Sequence, residues 1–425
     1  MPRTEQPSAT GKRPAHAVLQ RGELSRVVLA GSAFFCVLCS YYLLRPVRDA
    51  MAVQFGAGKL QWLFSATLLF TLAIVPLFGY VVRRLPRRHV LPAVYGFVIL
   101  NLLGFYLAFV AGPGRAVAAA FFVWLSVFNL FVVSLFWSKT GDCFSTDESH
   151  RLYGYIAAGG TAGALSGPAL TAFLAHRVET SILLVLSALL LGVAIACMSA
   201  LQRHRPDGAG QAARPLGGSV LAGIALVLKS PTLRSLAFLV ICYTTVSTVL
   251  YVELVDLAGK RYASAGERTA FFAKLDLAVN IAALLLQLIG TRQLVQRWGL
   301  RVALPAAPLV VMTGLIALAG SAWLSLRTAA SVAAVQVLHR AGEFAFSKPG
   351  REMVYTAIDA ESRYKAKNFI DTAVYRASDA SAAWLTTAVR AAGMDAIALA
   401  AIPAALAWAI TAYLIGRRHD GNQST

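Results

Sequence analysis

The sequence predicts an all-α membrane protein with twelve transmembrane helices in two six-helix bundles. Of its 425 residues, 57% are apolar and only 14% charged, whereas a soluble domain carries about 25% charged residues. At about 20 apolar residues per span this content supplies about twelve spans, and the mean hydropathy is +0.63. The apolar residues also fall into twelve runs, divided six and six by one polar stretch. Together these features exclude a soluble enzyme, a nucleic-acid-binding domain and a disordered chain. The net charge of +19 is then loop charge at a membrane surface, with no nucleic acid as partner.

Residues 1–26 are rich in Pro, Thr, Ser and Arg and have no apolar core. They read as a cytoplasmic tail and not as a cleaved signal, with an organelle transit peptide as the alternative. An N-terminal bundle, 27–201, follows from apolar runs near 27–54, 60–82, 90–111, 116–138, 152–175 and 180–201. A cytoplasmic linker, 202–232, contains RHRPDGAGQAARPLGG and ends in a short amphipathic helix. The second bundle, 233–416, has runs near 233–257, 269–291, 302–324, 328–347, 368–389 and 395–416, and a tail, 417–425, closes the chain. With both termini inside, the loops place 25 Lys and Arg on the cytoplasmic side against 8 outside, the bias that sets orientation. The expectation is a multi-pass protein of the bacterial inner membrane with cytoplasmic termini. The five cysteines lie mostly in apolar runs and read as packing residues; no metal or cofactor is expected.

Ionisable groups inside spans are expensive and usually pair or face a wet cavity, so they are the candidate site. Span 1 ends in Arg45-Pro-Val-Arg48-Asp49, with Arg45 and Asp49 one turn apart on one face. Arginine's donor fork suits phosphate or carboxylate, and a snorkelling cluster at the outer interface is the alternative. Span 7 holds Glu253 and Asp256 after the polar run Tyr243-Thr-Thr-Val-Ser-Thr248, and span 8 holds Lys274 and Asp276. Both pairs lie near outer ends, where a salt bridge between spans is the plainer reading. Span 10 carries His339, Arg340 and Glu343, with His339 and Glu343 spaced as a protonatable pair. Span 11 carries Asp371, Arg376 and Asp379, with the two acids on one stripe and Arg376 within reach of Asp379. Arg45, Arg48, Asp49, Glu253, Arg340, Asp371, Arg376 and Asp379 are thus candidate substrate contacts. His339, Glu343 and Asp276 are candidates for proton coupling. With no P-loop, H-E-x-x-H or G-x-S-x-G in the sequence, an enzyme is not expected and energy must come from a gradient.

The halves echo each other. Gly79-Tyr-Val-Val-Arg-Arg-Leu-Pro-Arg-Arg88 and Gln296-Arg-Trp-Gly-Leu-Arg301 resemble the basic loop G-x-x-x-D-R-x-G-R-R of the major facilitator superfamily. Arg83 and Gln296 stand where the superfamily favours an acid, and Pro86 replaces a glycine. The resemblance implies two bundles rocking about a central cavity, with Arg84, Arg87, Arg88, Arg297 and Arg301 as gating-loop residues. GGTAGALSGPAL in span 5 resembles a pattern of superfamily antiporters, and ordinary close helix packing explains it equally.

More specifically, Phe346-Ser-Lys348-Pro-Gly-Arg351-Glu352-Met353-Val-Tyr355-Thr, then Tyr364-Lys365-Ala-Lys367-Asn-Phe-Ile370-Asp371 and Arg376, resembles the ATP/ADP translocase family. Arg45-Pro-Val-Arg48-Asp49 and Lys229-Ser230 followed by Tyr251-Val-Glu253 resemble that family's segments in the same order. The resemblance implies solute exchange. It puts Arg48 at the family's span-1 lysine, Glu253 at its span-7 glutamate, and Asp371 and Arg376 in its spans 10–11 motif. Asp379 replaces a lysine of that motif. The expected function is secondary transport of a polar, anionic or zwitterionic solute, nucleotide-like or another organic anion, by a monomer. A proton-coupled efflux antiporter and a non-transporting membrane sensor or scaffold remain alternatives.

Overall fold

A computed structural model describes residues 21–203 and 220–423, and among these every regular element is helical. The first half comprises α1 (Arg21–Phe55), α2 (Leu60–Arg84), α3 (Arg87–Val110), α4 (Arg115–Gly141), α5 (Thr146–Leu174) and α6 (Thr180–Arg203). After α7 (Val220–Lys229) come α8 (Pro231–Arg261), α9 (Ala265–Leu286), α10 (Arg292–Trp298), α11 (Leu300–Trp323), α12 (Ala329–Gly342), α13 (Lys348–Thr356), α14 (Ala360–Phe369), α15 (Tyr375–Ala391) and α16 (Ile402–Gln423). Four π-turns interrupt the second half, at Gln287–Thr291, Glu343–Ser347, Ile370–Val374 and Ile397–Ala401. Nine helices are long and apolar enough to cross a membrane by length and composition. Three more helical runs, α5, 329–356 and 360–391, have comparable length but carry more polar residues. They complete the twelve spans expected. Of the linker, residues 204–219 lie outside the described part; α7 packs on α14, with Gly223 against Phe369.

Each half has its own apolar core. In the first, Tyr95, Phe121 and Phe136 are fully buried, and the Tyr95 hydroxyl donates to the Val132 carbonyl at 2.9 Å. In the second, α8 packs against α15 and α16 around Trp408 and Phe272. The glycine-rich stripe of α5 serves the first half internally. A Cβ at Gly159 would lie 2.3 Å from the Gly31 carbonyl oxygen, and one at Gly163 would lie 2.3 Å from that of Phe35. Small residues there let α5 and α1 approach backbone to backbone, and the Thr171 hydroxyl adds a bond to the Leu43 carbonyl at 2.9 Å.

The halves meet through α1 and α5 against α9, α1 against α8, and α2 against α15. Asn280 of α9 donates to the Ala164 carbonyl of α5 at 2.6 Å. At the end away from the termini, the Thr387 hydroxyl donates to Gln61 at 3.2 Å, and Trp384 donates to the Ser65 hydroxyl at 3.0 Å while its ring meets Trp62 edge-on. At the terminal end each half is braced within itself. Arg26 pairs with Glu148 at 2.6 Å and Arg151 with Glu23 at 2.8 Å. The Arg26 guanidinium, with the Ser145 amide, holds the Glu148 carboxyl below its ordinary range. Asp420 accepts from the Leu300 and Arg301 amides at 3.1 and 3.0 Å, capping α11 from the last helix.

Candidate functional site

Between the halves lies a cavity of about 330 Å³. Arg45, Arg48 and Asp49 of α1, Ser126 of α4, Thr248 and Tyr251 of α8, Arg340 of α12, Glu343, and Arg376 and Asp379 of α15 all line it. Arg45 and Arg340 each lie about 15 Å along their helices from the ends remote from the termini. That is half the thickness of a bilayer core of about 30 Å. Arg45 and Arg48 line this cavity and face groups of the other half, Asp276 directly and Tyr251 through Asp49, an environment that the snorkelling alternative does not call for.

Every lining arginine has a carboxylate near it, but the pairs differ from those the spacing suggested. Arg48, not Arg45, holds Asp49, donating through Nε at 2.9 Å and Nη2 at 2.6 Å. The Tyr251 hydroxyl reaches the same carboxylate oxygen at 3.0 Å. Arg45 instead faces Asp276 of α9 in the other half, its Nε 3.6 Å from Oδ2, while Arg340 donates to Oδ1 at 2.7 Å. Asp276 is 1% exposed, so one buried carboxylate serves two guanidiniums. Arg45 Nε, Arg340 Nη2 and Asp276 Oδ2 are buried without hydrogen-bond partners. On α15, Arg376 Nη1 lies 3.5 Å from Asp379, and Nη2 donates to the Ser126 carbonyl across the cavity at 2.7 Å. The Thr248 hydroxyl donates to Asp379 at 2.8 Å. Toward the remote end, Phe64 packs edge-on against Phe122 and Tyr251, and Arg48 lies over the Phe122 ring.

Several residues singled out from the sequence lie elsewhere. Glu253 belongs to a second ionic cluster, pairing with Arg327 at 3.2 Å and with Arg390, beside Asp256 and Asp395. Neither Glu253 nor Asp256 bridges to α9. His339 is fully buried behind the cavity, its Nε2 on the Tyr243 carbonyl at 3.1 Å and its ring against Trp408. It does not pair with Glu343, although a regular α-turn joins the two, because its imidazole is taken up by the Tyr243 carbonyl; the π-turn that begins at Glu343 shifts the faces that follow it. Glu343 faces Arg351 at 3.8 Å. Asp371 sits in the next π-turn and so leaves the stripe of Asp379; it lies 3.5 Å from Arg351 with its side chain 39% exposed. In the loops, Arg84 stacks over Tyr80, Arg88 donates to His89, and Arg297 and Arg301 are exposed. The Arg87 side chain lies outside the described residues. Sequence reasoning missed Tyr251, Ser126 and the central place of Arg351. Thr248 and Tyr251 fall in or just after a polar run that marks α8 as cavity-facing, whereas Ser126 carries no such signal.

The Major Facilitator Superfamily matches residues 30–347. ADP,ATP carrier protein 1 of Chlamydia muridarum is 24% identical, over 83% of this chain and 80% of that one. Among solved structures, the POT family transporter PepTSo aligns with a TM-score of 0.64 at 11% identity, covering 94% of this chain and 98% of that one. The nucleoside transporter NupG aligns at 0.61 and 12% identity, covering 95% and 99%. The solved structures share the fold of this chain, and the chain belongs to the Major Facilitator Superfamily of secondary transporters.

Proposed function

We propose that this transporter carries a polar, charged organic solute, and that the solute sits in the cavity between its halves during alternating access. The supporting observation is the set of four arginines, each with a nearby carboxylate, that line one cavity within helices of the membrane-spanning bundles. An ionisable group there costs about 2.5–3.5 kcal/mol on the insertion scale, and a lipophilic cargo would give it nothing to bind. With both termini cytoplasmic in the bacterial inner membrane, as the loop charges imply, the contacts between α2 and α15 lie on the outer side. That arrangement supports an inward-open state. A proton-driven cycle would run through Glu343, because His339 and Asp276 do not line the cavity.

Exchange of nucleotides is the second reading, favoured by the ADP,ATP carrier of Chlamydia muridarum. The experiment is counterflow in proteoliposomes, guided by a thermal-shift panel of nucleotides, sugar phosphates, organic acids and amino acids, since a ligand of the native state raises Tm. Arg48→Gln should abolish transport while the protein still folds. Near-normal uptake by that variant would remove Arg48, and with it this view of the cavity.

A further inference from the structure

We propose that the solute is a zwitterion of net charge near zero, its acidic group at Arg45 and Arg340 and its basic group at Glu343. This rests on the reading of the cavity as the transport site. The two poles are mirror images. At one, a single carboxylate, Asp276, lies between two arginines, Arg45 and Arg340, leaving one positive charge over. At the other, a single arginine, Arg351, lies between two carboxylates, Glu343 and Asp371, at 3.8 and 3.5 Å, leaving one negative charge over. Lys348 next to this pole is exposed, where solvent screens it.

Arginine donors at both poles lack hydrogen-bond partners. Arg45 Nε and Arg340 Nη2 are buried without acceptors, and Arg351 Nε and Nη1 likewise make no hydrogen bond. The Arg340 side chain is 9% exposed and lines the cavity. A buried donor left unmet is destabilising, and a ligand carboxylate or phosphate would meet it. Arg340 and Glu343 lie three residues apart at the end of one helix, where side chains are neighbours at about 5–6 Å between Cβ atoms. One ligand of modest length therefore reaches both. The remaining pairs, Arg48 with Asp49 and Arg376 with Asp379, cancel. A ligand with several phosphate charges would leave this balanced cavity strongly negative, and a neutral sugar would leave both poles unmet.

The test uses the full-length protein in detergent and in proteoliposomes. The probes are ω-amino acids of two to six carbons, glycylglycine and phenylalanine, each beside its N-acetyl anion and its amide cation, with ADP and ATP added. At least one zwitterion should raise Tm and show counterflow, binding about tenfold or more tightly than both of its singly charged forms, about 1.4 kcal/mol. Glu343→Gln should erase the preference over the N-acetyl form, a tenfold change in selectivity that a merely structural role would not produce. Equal or tighter binding of the N-acetyl anions by the wild type, or no binding by any zwitterion of the series, overturns the proposal. ADP counterflow that is lost in Arg48→Gln would overturn the zwitterion while leaving the cavity as the transport site. Absence of counterflow for every solute would overturn both.

Discussion

At the scale of a single residue, Asp379 is expected to set how much anionic charge the cavity tolerates. It stands where the ATP/ADP translocase pattern has a lysine, and its hold on Arg376 is loose at 3.5 Å because that guanidinium also donates to Ser126. A phosphate about 4 Å from such a carboxylate meets about 4 kcal/mol of repulsion at an effective dielectric of 20. Wild-type protein should therefore exchange ATP for ADP poorly, and Asp379→Lys should raise affinity for phosphate-rich ligands. Robust wild-type ATP/ADP counterflow, unchanged by the substitution, would show that the position is silent. The charged candidates were legible because charge inside an apolar run is conspicuous. Their partners were not, since Arg45 finds Asp276 on a helix of the other half, and sequence spacing sees only neighbours on one helix.

Among the elements, α5 makes the sharpest claim. The stripe of Gly159, Gly163 and Gly167 is legible as small-residue packing, and the structure gives its partner as α1. Gly163→Leu would drive a side chain into the Phe35 carbonyl, and overpacking of this kind costs about 1–3 kcal/mol. The variant should melt several degrees lower in detergent, and an unchanged Tm would mean that the two helices slide apart freely. Helix ends matched the apolar runs to within a few residues for most spans. What the runs hid were the π-turns at Glu343–Ser347 and Ile370–Val374. Each rotates the faces after it, so an ideal helical wheel misassigned Asp371 with Asp379, whereas His339 shares a regular turn with Glu343 and is drawn instead to the Tyr243 carbonyl.

At the scale of the whole molecule, the contact of α2 with α15 is the seal that an alternating cycle must break. A short bis-methanethiosulfonate bridging cysteines at Gln61 and Thr387 should stop counterflow, and reduction should restore it, while either single cysteine remains active. Transport that continues through the bridge would place the moving seam elsewhere. The exposed loop residues Arg84 and Arg297 belong to this scale too. Neutralising both should slow turnover with little change in equilibrium affinity; a large loss of affinity at unchanged turnover would make them binding residues. The six-and-six layout was legible because hydropathy fixes how often a chain crosses a bilayer. Which halves' faces meet was not, since that depends on packing between residues far apart in the chain.

The sharing of Asp276 between Arg45 and Arg340 has a consequence for how the chain is made. Arg45 leaves the ribosome well before its carboxylate partner, which follows about 230 residues later, an interval of about 10–50 s at 5–20 residues per second. Throughout that time α1 holds two arginines in or near the bilayer while its partner helix does not yet exist. Asp49, one turn from Arg45 and next to Arg48, is the one acid within reach on the nascent helix. Its expected role is first to offset charge on α1 during insertion, before it serves as the fixed partner of Arg48. Asp49→Asn should accordingly lower membrane insertion of chains truncated after α1 or α2 more than it lowers the Tm of the finished protein. Equal insertion of the truncated wild-type and variant chains, read by glycosylation mapping in microsomes, would show that the newborn helix needs no such companion.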